Sequence, residues 1–207
     1  MTHDNQAESA RSKARIVEAA IAEFATQGYR KANTNRIVRE AGVSKGLLFH
    51  YFGSKKELYL YLYDYAMRLM VDEAFAGFDW NEKDIFKRWR AGAEIKFDMM
   101  RRYGMLFEFI LDAYTRADEE VREEIGASTA SWIATAWKRL RENPDLSLFR
   151  EGVDAEKAMD IIYWTIDGYS RSRMRPPRPL AYYKENYDAL IEGLDGYLDT
   201  LRRLLYK

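Results

Sequence analysis

Residues 44–58 read SKGLLFHYFGSKKEL, a stretch that mixes lysines with large apolar side chains. A lysine can donate hydrogen bonds to guanine O6 and N7, and leucine or phenylalanine can contact the methyl group of thymine. Lys45, Leu47 and Phe49 offer this chemistry, and Gly46 between them would let the backbone approach a ligand closely. The stretch is therefore a candidate surface for double-stranded DNA.

Further donors lie around this stretch, at the starts and ends of short helices where phosphates would pass. The candidate DNA contacts are Thr34, Asn35, Ser44, Lys45, Gly46, Leu47, Phe49, His50, Tyr51 and Lys55. For Lys31, Arg36 and Arg39 a phosphate contact and an ordinary solvated face explain the charge equally well.

Three short helical segments must position these side chains. A first helix over about residues 9–27 carries an apolar stripe and ends at Gly28. A second helix, NRIVREA, follows with Asn33 or Thr34 as its N-cap, and Ser44 can cap a third helix, KGLLFHYF. Gly42 suits the tight turn between the last two, which predicts a helix-turn-helix over about residues 34–52.

The rest of the chain also favours helices, because residues 1–143 contain no proline and no run is typical of a strand. Ser54 and Glu57 form a capping box, which predicts a helix from about 55 to 76. Further helices are expected near 82–101, 103–115, 118–142, 154–173 and 180–205. The predicted fold class is all-α with about nine helices.

Composition limits the possible functions. The net charge is zero, but residues 1–58 carry ten basic and six acidic side chains, and a local basic excess suits a polyanionic partner. Chance could also give so small an excess. The chain has no cysteine, two histidines and no glycine-rich phosphate loop, so we expect neither an enzyme nor a bound metal or cofactor.

No apolar run approaches the roughly 20 residues that would span a bilayer. The N-terminal residues also lack the apolar centre of a signal peptide. We therefore expect a cytoplasmic protein without a membrane partner.

Residues 13–59 closely resemble the DNA-binding domain of TetR-family transcriptional regulators. The matching positions are Ile16, Ala19, Ala20, Phe24, Gly28, Tyr29, Thr34, Ile37, Ala41, Gly42, Val43, Ser44, Gly46, Leu48, Tyr51, Phe52, Lys55, Glu57 and Leu58. Asn35, Val38, Leu47 and Phe49 depart from the frequent residues of that family. The last two would face the bases, so they affect which operator is bound.

The resemblance implies a DNA-binding domain over residues 1–54 and an effector-binding and dimerisation domain over 55–207, with helix 55–76 connecting them. Independently, apolar residues of the last helix recur at heptad spacing, as in a helix that pairs with another helix. The expected dimer contacts are Ile162, Ile166, Tyr169, Tyr187, Leu190, Leu194, Tyr197 and Leu201. Packing of the same helices on their own subunit is the alternative.

The middle of the chain is rich in large aromatic residues and methionine, which either form a packed core or line an apolar pocket. The candidate pocket residues are Trp89, Phe97, Met100, Phe107, Trp132, Trp137, Tyr163 and Trp164. A lipophilic cation, an acyl chain and a neutral aromatic ligand all remain compatible with them.

The resemblance implies a homodimeric repressor that binds a near-palindromic DNA operator and is released by a small lipophilic or aromatic effector. An activator remains possible. The alternative is a helical ligand-binding or interaction protein without sequence-specific DNA binding.

Overall fold

The computed structural model describes residues 2–207, with side chains from residue 6 onward. Its helices are α1 (Thr2–Lys31), α2 (Thr34–Ala41), α3 (Lys45–Phe52), α4 (Lys55–Gly77), α5 (Ile85–Arg102), α6 (Gly104–Thr115), α7 (Arg122–Leu140), α8 (Ala155–Arg173), α9 (Leu180–Glu185) and α10 (Tyr187–Leu205). A 3₁₀ turn covers Leu146–Leu148. Within these residues there is no strand, so the all-α prediction is confirmed.

The predicted helix boundaries differ most from the structure at two places, besides later starts of α5 at Ile85 and α7 at Arg122. Helix α1 begins at Thr2, several residues before the predicted start. The single helix predicted over 180–205 is two helices, α9 and α10, because the chain leaves helical geometry at Asn186. The backbone N–H and the side-chain amide of Asn186 both donate to the carbonyl of Tyr182, at 3.1 and 2.8 Å, and these bonds close the end of α9.

Local capping explains why α2 and α3 are short. Asn33 caps α2, since its side chain accepts a hydrogen bond from the Asn35 N–H at 2.8 Å. Ser44 caps α3 in the same way through the N–H of Leu47, 3.1 Å away. Gly42 ends α2 with φ +64°, a left-handed conformation that a side chain would strain.

The chain forms two compact units. The first contains the residues up to 69 together with 103–132, and the second contains 70–102 together with 133–207. This geometric division differs from the expected functional boundary at residue 54, which stays a prediction.

The first unit is held together by apolar contacts of α1 with its neighbours. The buried side chains include Ile16, Phe24, Ile37, Leu48, Leu58, Leu62 and Phe109. The Phe24 and Tyr59 rings meet edge to face at 4.9 Å, and Tyr59 packs in the same way on Phe109 at 5.3 Å. These contacts fix α4 and α6 against α1, which gives the helix-turn-helix a rigid base.

The second unit has its own core, formed by α5, α8 and α10. Its buried members are Ile85, Phe86, Phe149, Ala158, Met159, Ile162, Leu198 and Tyr206. Asp84 caps α5 through the Phe86 N–H at 3.0 Å, and its other carboxylate oxygen pairs with Arg202 at 2.7 Å. None of the helices in the described part of the chain is long and apolar enough to cross a membrane.

Candidate nucleic-acid interface

A tight turn joins α2 to α3 and fixes the angle between them. The Gly42 N–H donates to the Arg39 carbonyl at 3.2 Å, and the Val43 N–H donates to the Val38 carbonyl at 3.0 Å. Leu48 is completely buried, so one face of α3 is held in the core of the first unit. This arrangement is a helix-turn-helix, as the sequence predicted.

The opposite face of α3 is open. Lys45, Gly46 and His50 are exposed, while Leu47 and Phe49 are half-buried at its edge. The Lys45 ammonium lies 5.9 Å from the centre of the Phe49 ring, a distance typical of a cation–π contact. The face therefore presents a cation and apolar groups side by side, which suits the floor of the DNA major groove.

Ser44 and Tyr51, both candidate DNA contacts, already have partners within the protein. The Ser44 hydroxyl oxygen is the N-cap of α3. The Tyr51 hydroxyl lies 2.6 Å from the Ser9 hydroxyl and donates to the Ser9 carbonyl at 3.2 Å. A phosphate contact by Tyr51 would have to replace the bond to that carbonyl.

Thr34 and Asn35 begin α2, where the N-terminal amides and the helix dipole favour an anion. Thr34 is half-buried, and the Asn35 side chain is exposed. Both keep their side-chain donors near the start of the helix, so both remain candidates for phosphate contact.

Glu23 on α1 was not predicted as a site residue, but it positions α2. Its side chain is only 8% exposed. One carboxylate oxygen accepts the Asn33 N–H at 2.8 Å, and the other pairs with Arg36 at 3.2 Å. The sequence signal for this role of Glu23 is its position as an acidic residue within the apolar stripe of α1. Arg36, ambiguous from sequence, has this internal partner.

Lys55 turns inward at the start of α4. Its ammonium donates to the Arg30 carbonyl at 3.2 Å and lies 5.0 Å from the centre of the Tyr29 ring. Burial lowers the pKa of Lys55, and the nearby carboxylates of Glu120 and Asp118 oppose that shift. A phosphate contact by Lys55 would therefore require its side chain to rotate outward.

Those carboxylates belong to residues 116–124, RADEEVREE, which cover the connection between α6 and α7 and the first turn of α7 and which we call the acidic corner. Asp118 pairs with Arg30 at 2.8 Å, and Glu124 pairs with Lys56 at 2.6 Å. No local sequence pattern marks these acids, because their partners lie 88 and 68 positions away in the chain.

The candidate pocket residues fall into separate groups. Trp89, Trp137 and Tyr163 are together in the second unit, with ring centres 5.3 Å apart for the first pair and 4.8 Å for the second. Met100 and Phe97 are half-buried in the same unit. The Phe97 ring stacks on the Tyr187 ring, with their centres 3.7 Å apart. These contacts agree with a packed core as well as with a pocket.

Three candidate pocket residues lie elsewhere. Phe107 and Trp132 are in the first unit, where the Trp132 N–H donates to Asp64 at 2.9 Å. Trp164 is 65% exposed, so α8 does not enclose its side chain. We therefore reassign Trp164 to the open apolar face of α8.

One expected dimer contact needs correction. Ile162 is completely buried in the core of the second unit, because its side chain points from α8 toward α5 and α10. Ile166, Leu194 and Leu201 pack partly against the same core.

The aromatic members of the expected dimer set also have partners in their own unit. Tyr169 donates to the Leu190 carbonyl at 2.8 Å, and Tyr187 stacks on Phe97. Tyr197 remains 56% exposed. Much of the predicted set therefore packs within the subunit, and the exposed apolar residues are Tyr197 from that set together with Ile161, Trp164 and Leu204 beside it.

Comparison with known proteins agrees with this geometry. Residues 16–62 match the family model of bacterial regulatory proteins of the tetR family. A 48-residue stretch is 50% identical to the HTH-type transcriptional repressor SCO4008 of Streptomyces coelicolor, over 23% of this chain and 25% of that protein.

Two further likenesses extend beyond the helix-turn-helix. The chain is 22% identical over 158 residues to the fatty acid metabolism regulator protein of Bacillus subtilis, over 73% of this chain and 78% of the relative. Its fold matches the solved structure of the regulator FadR from Bacillus subtilis in complex with stearoyl-CoA. The TM-score is 0.62 at 20% identity, over 88% of this chain and 97% of that one.

Proposed function

Because residues 16–62 match the family model of bacterial regulatory proteins of the tetR family, we propose that the chain is a dimeric repressor of that family. It binds a near-palindromic DNA operator and is released by a small lipophilic effector. The observation that carries this proposal is the open face of α3, where exposed Lys45 and Gly46 stand beside half-buried Leu47 and Phe49.

Operator recognition requires two copies of α3. A dimer with twofold symmetry places them in successive major grooves, about 34 Å apart or a multiple of that distance. Exposed apolar side chains support pairing through the second unit. On α8, Ile161 is 42% and Trp164 65% exposed, and on α10 Tyr197 is 56% and Leu204 65% exposed. Two such helices from each copy would form a four-helix interface.

For the effector we propose a long-chain acyl group carried as a thioester. The FadR structure named above contains stearoyl-CoA. In this chain the aromatic group of Trp89, Trp137 and Tyr163 offers an apolar wall. The buried Trp89 indole nitrogen has no hydrogen-bond partner among the described residues. Buried donors are normally satisfied, so this N–H is available to the carbonyl of such a ligand.

Helix α4 is the proposed connection between effector and DNA. Its first turn follows Gly53, which ends α3, and its last residues belong to the second unit. An effector that prefers one orientation of α4 would change the separation of the two α3 helices. The change in DNA affinity cannot exceed the difference in the effector's affinity for the two states.

Selection of random duplex DNA by the purified protein, with and without stearoyl-CoA, tests the proposal. Recovery of a near-palindromic site that is lost when stearoyl-CoA is added would support every part of it. A site that survives stearoyl-CoA would reject the acyl thioester and retain the repressor. Failure to enrich any site would favour a helical interaction protein without sequence-specific DNA binding.

A further inference from the structure

The acidic corner carries five carboxylates against two arginines, and it lies against the basic end of the helix-turn-helix. Asp118 Oδ2 is 2.8 Å from Arg30 Nε, and Glu124 Oε1 is 2.6 Å from Lys56 Nζ. Arg30 is near the end of α1, and Lys56 is in the first turn of α4. Two cations that flank the helix-turn-helix are therefore held by Asp118 of the α6–α7 connection and Glu124 of the first turn of α7.

The two ion pairs shift the pKa values of all four groups in the direction that keeps them charged. The hydrogen bond from Arg30 holds the pKa of Asp118 below its usual value, and the same contact raises the pKa of Arg30. The hydrogen bond from Lys56 lowers the pKa of Glu124, and the pKa of Lys56 is raised in turn. All four groups are charged at neutral pH, so each pair is an attraction between full charges.

A cleft of about 650 Å³ lies beside these ion pairs. It is lined by Tyr29, Arg30, Ser54, Lys55, Lys56, Asp118 and Glu120. The pKa of Tyr29 is raised by burial first and by its hydrogen bond with Glu120 second. The cleft is open to solvent and lined by charges, so a polyanion could approach the cations from the same side as the acids.

The position of these cations suits DNA phosphate. Lys56 follows α3 by four residues, and the first turn of α4 presents the positive end of a helix dipole. The Arg30 side chain is 78% exposed despite its partner, so it can exchange one anion for another. A phosphate that passes the end of α3 would meet both cations.

We propose that the acidic corner competes with DNA phosphate for Arg30 and Lys56, and that Asp118 and Glu124 thereby set the DNA affinity of this protein. The inference rests on the proposed function. Because the acidic corner joins α6 to α7, a ligand that displaces either helix would strengthen or release this competition. The acids thus give the effector domain a second way to control DNA affinity, besides a change in the orientation of α4.

Fluorescence polarisation with a labelled 20-base-pair duplex of arbitrary sequence, titrated at several salt concentrations, tests the competition. The variant Asp118→Asn/Glu124→Gln keeps the shape of both side chains and removes their charge. It should bind DNA about twofold to fivefold more tightly for each exposed ion pair released. The slope of log K against log salt should also steepen by about one for each phosphate gained.

Glu119→Gln is the matched control. It removes one charge from the acidic corner, as Asp118→Asn alone does, but Glu119 is exposed, is in no salt bridge among the described residues and acts on Arg30 more weakly than Asp118 does. Its gain in DNA affinity should therefore be clearly smaller than that of Asp118→Asn alone. An equal gain from Glu119→Gln would show a diffuse charge effect and would overturn the proposal.

A double-mutant cycle separates competition from general electrostatics. In an Arg30→Gln background, Asp118→Asn should leave DNA affinity unchanged, because the cation that it would release is absent. A gain of the usual size in that background would reject the proposal. Thermal unfolding of each variant confirms that the fold is retained.

The outcomes distinguish this inference from the function on which it rests. If wild-type protein binds the duplex and the Asp118→Asn/Glu124→Gln variant binds equally well, only the competition is rejected. If neither the wild type nor any variant binds DNA at low salt, the proposed function fails and the competition fails with it.

Discussion

The buried carboxylate of Glu23 on α1 accepts the backbone N–H of Asn33, 2.8 Å away, and thereby fixes the start of α2. Asn33 is itself the N-cap of α2, so this hydrogen bond and the Glu23–Arg36 pair together anchor the start of α2 to α1. The open face of α3 owes its orientation to this anchor as well as to the buried Leu48.

Loss of that anchor should destabilise the protein. Glu23→Ala removes the acceptor of the Asn33 N–H and the partner of Arg36, and the loss of this part-buried hydrogen bond should cost about 0.5–1.5 kcal/mol. Glu23→Gln keeps an acceptor oxygen and should cost less. Denaturant unfolding followed by circular dichroism measures both. Equal stability of the two variants would show that the hydrogen bond to Asn33 contributes nothing.

Lys45 should carry part of the operator affinity. Lys45→Ala removes an exposed cation at the first residue of α3 and should weaken binding to the selected operator by about 1–3 kcal/mol, the range for one good base contact. Lys138→Ala on α7 removes the same charge from an exposed position and is the control. Similar losses in both variants would contradict a specific role for Lys45.

Trp164 should be a major contact of the dimer. Trp164→Ser removes a large side chain that is 65% exposed in the single chain, so the fold of the subunit should persist. A central aromatic contact is typically worth about 2 kcal/mol or more, so the dimer dissociation constant should rise at least about tenfold. Sedimentation velocity over a range of concentrations gives that constant.

The control for Trp164 is Lys157→Ser, which changes another exposed residue of α8. It should leave the dimer intact. A Trp164→Ser protein that remains fully dimeric but no longer responds to stearoyl-CoA would return Trp164 to the effector pocket, where the sequence first placed it.

Arg88 should be essential for the second unit. Its side chain is 2% exposed, and its guanidinium donates to the Leu140 carbonyl at 3.0 Å and also to the carbonyls of Glu82 and Glu142. Arg88→Met would leave these acceptors unsatisfied and should cost about 3 kcal/mol or more. Arg88→Lys should not restore the stability, because one ammonium cannot reproduce the planar arrangement of guanidinium donors.

Thermal unfolding measures the effect of Arg88, with the exposed neighbour Lys87→Met as the control. Lys87 pairs only with Glu82 on the surface, at 3.5 Å, so its loss should change stability by less than about 1 kcal/mol. Comparable losses at positions 87 and 88 would show that the buried carbonyl contacts of Arg88 are unimportant.

The sequence by itself determined the helices and the helix-turn-helix. Apolar spacing, the caps at Asn33 and Ser44 and the glycine at position 42 act over a few residues, so they can be recognised along the chain. The only helix that the sequence joined incorrectly, over 180–205, breaks at Asn186, where no proline or glycine announces the end.

Only the tertiary structure decided which side chains of those helices are exposed and which are covered by another part of the chain. Ile162 and Trp164 are two residues apart on α8 and equally apolar, yet one is buried and the other is 65% exposed. The bond between Tyr51 and Ser9 and the pair of Arg30 with Asp118 join residues 42 and 88 positions apart. Such contacts depend on how helices pack, and helical periodicity records which face of a helix is apolar but not which partner covers it.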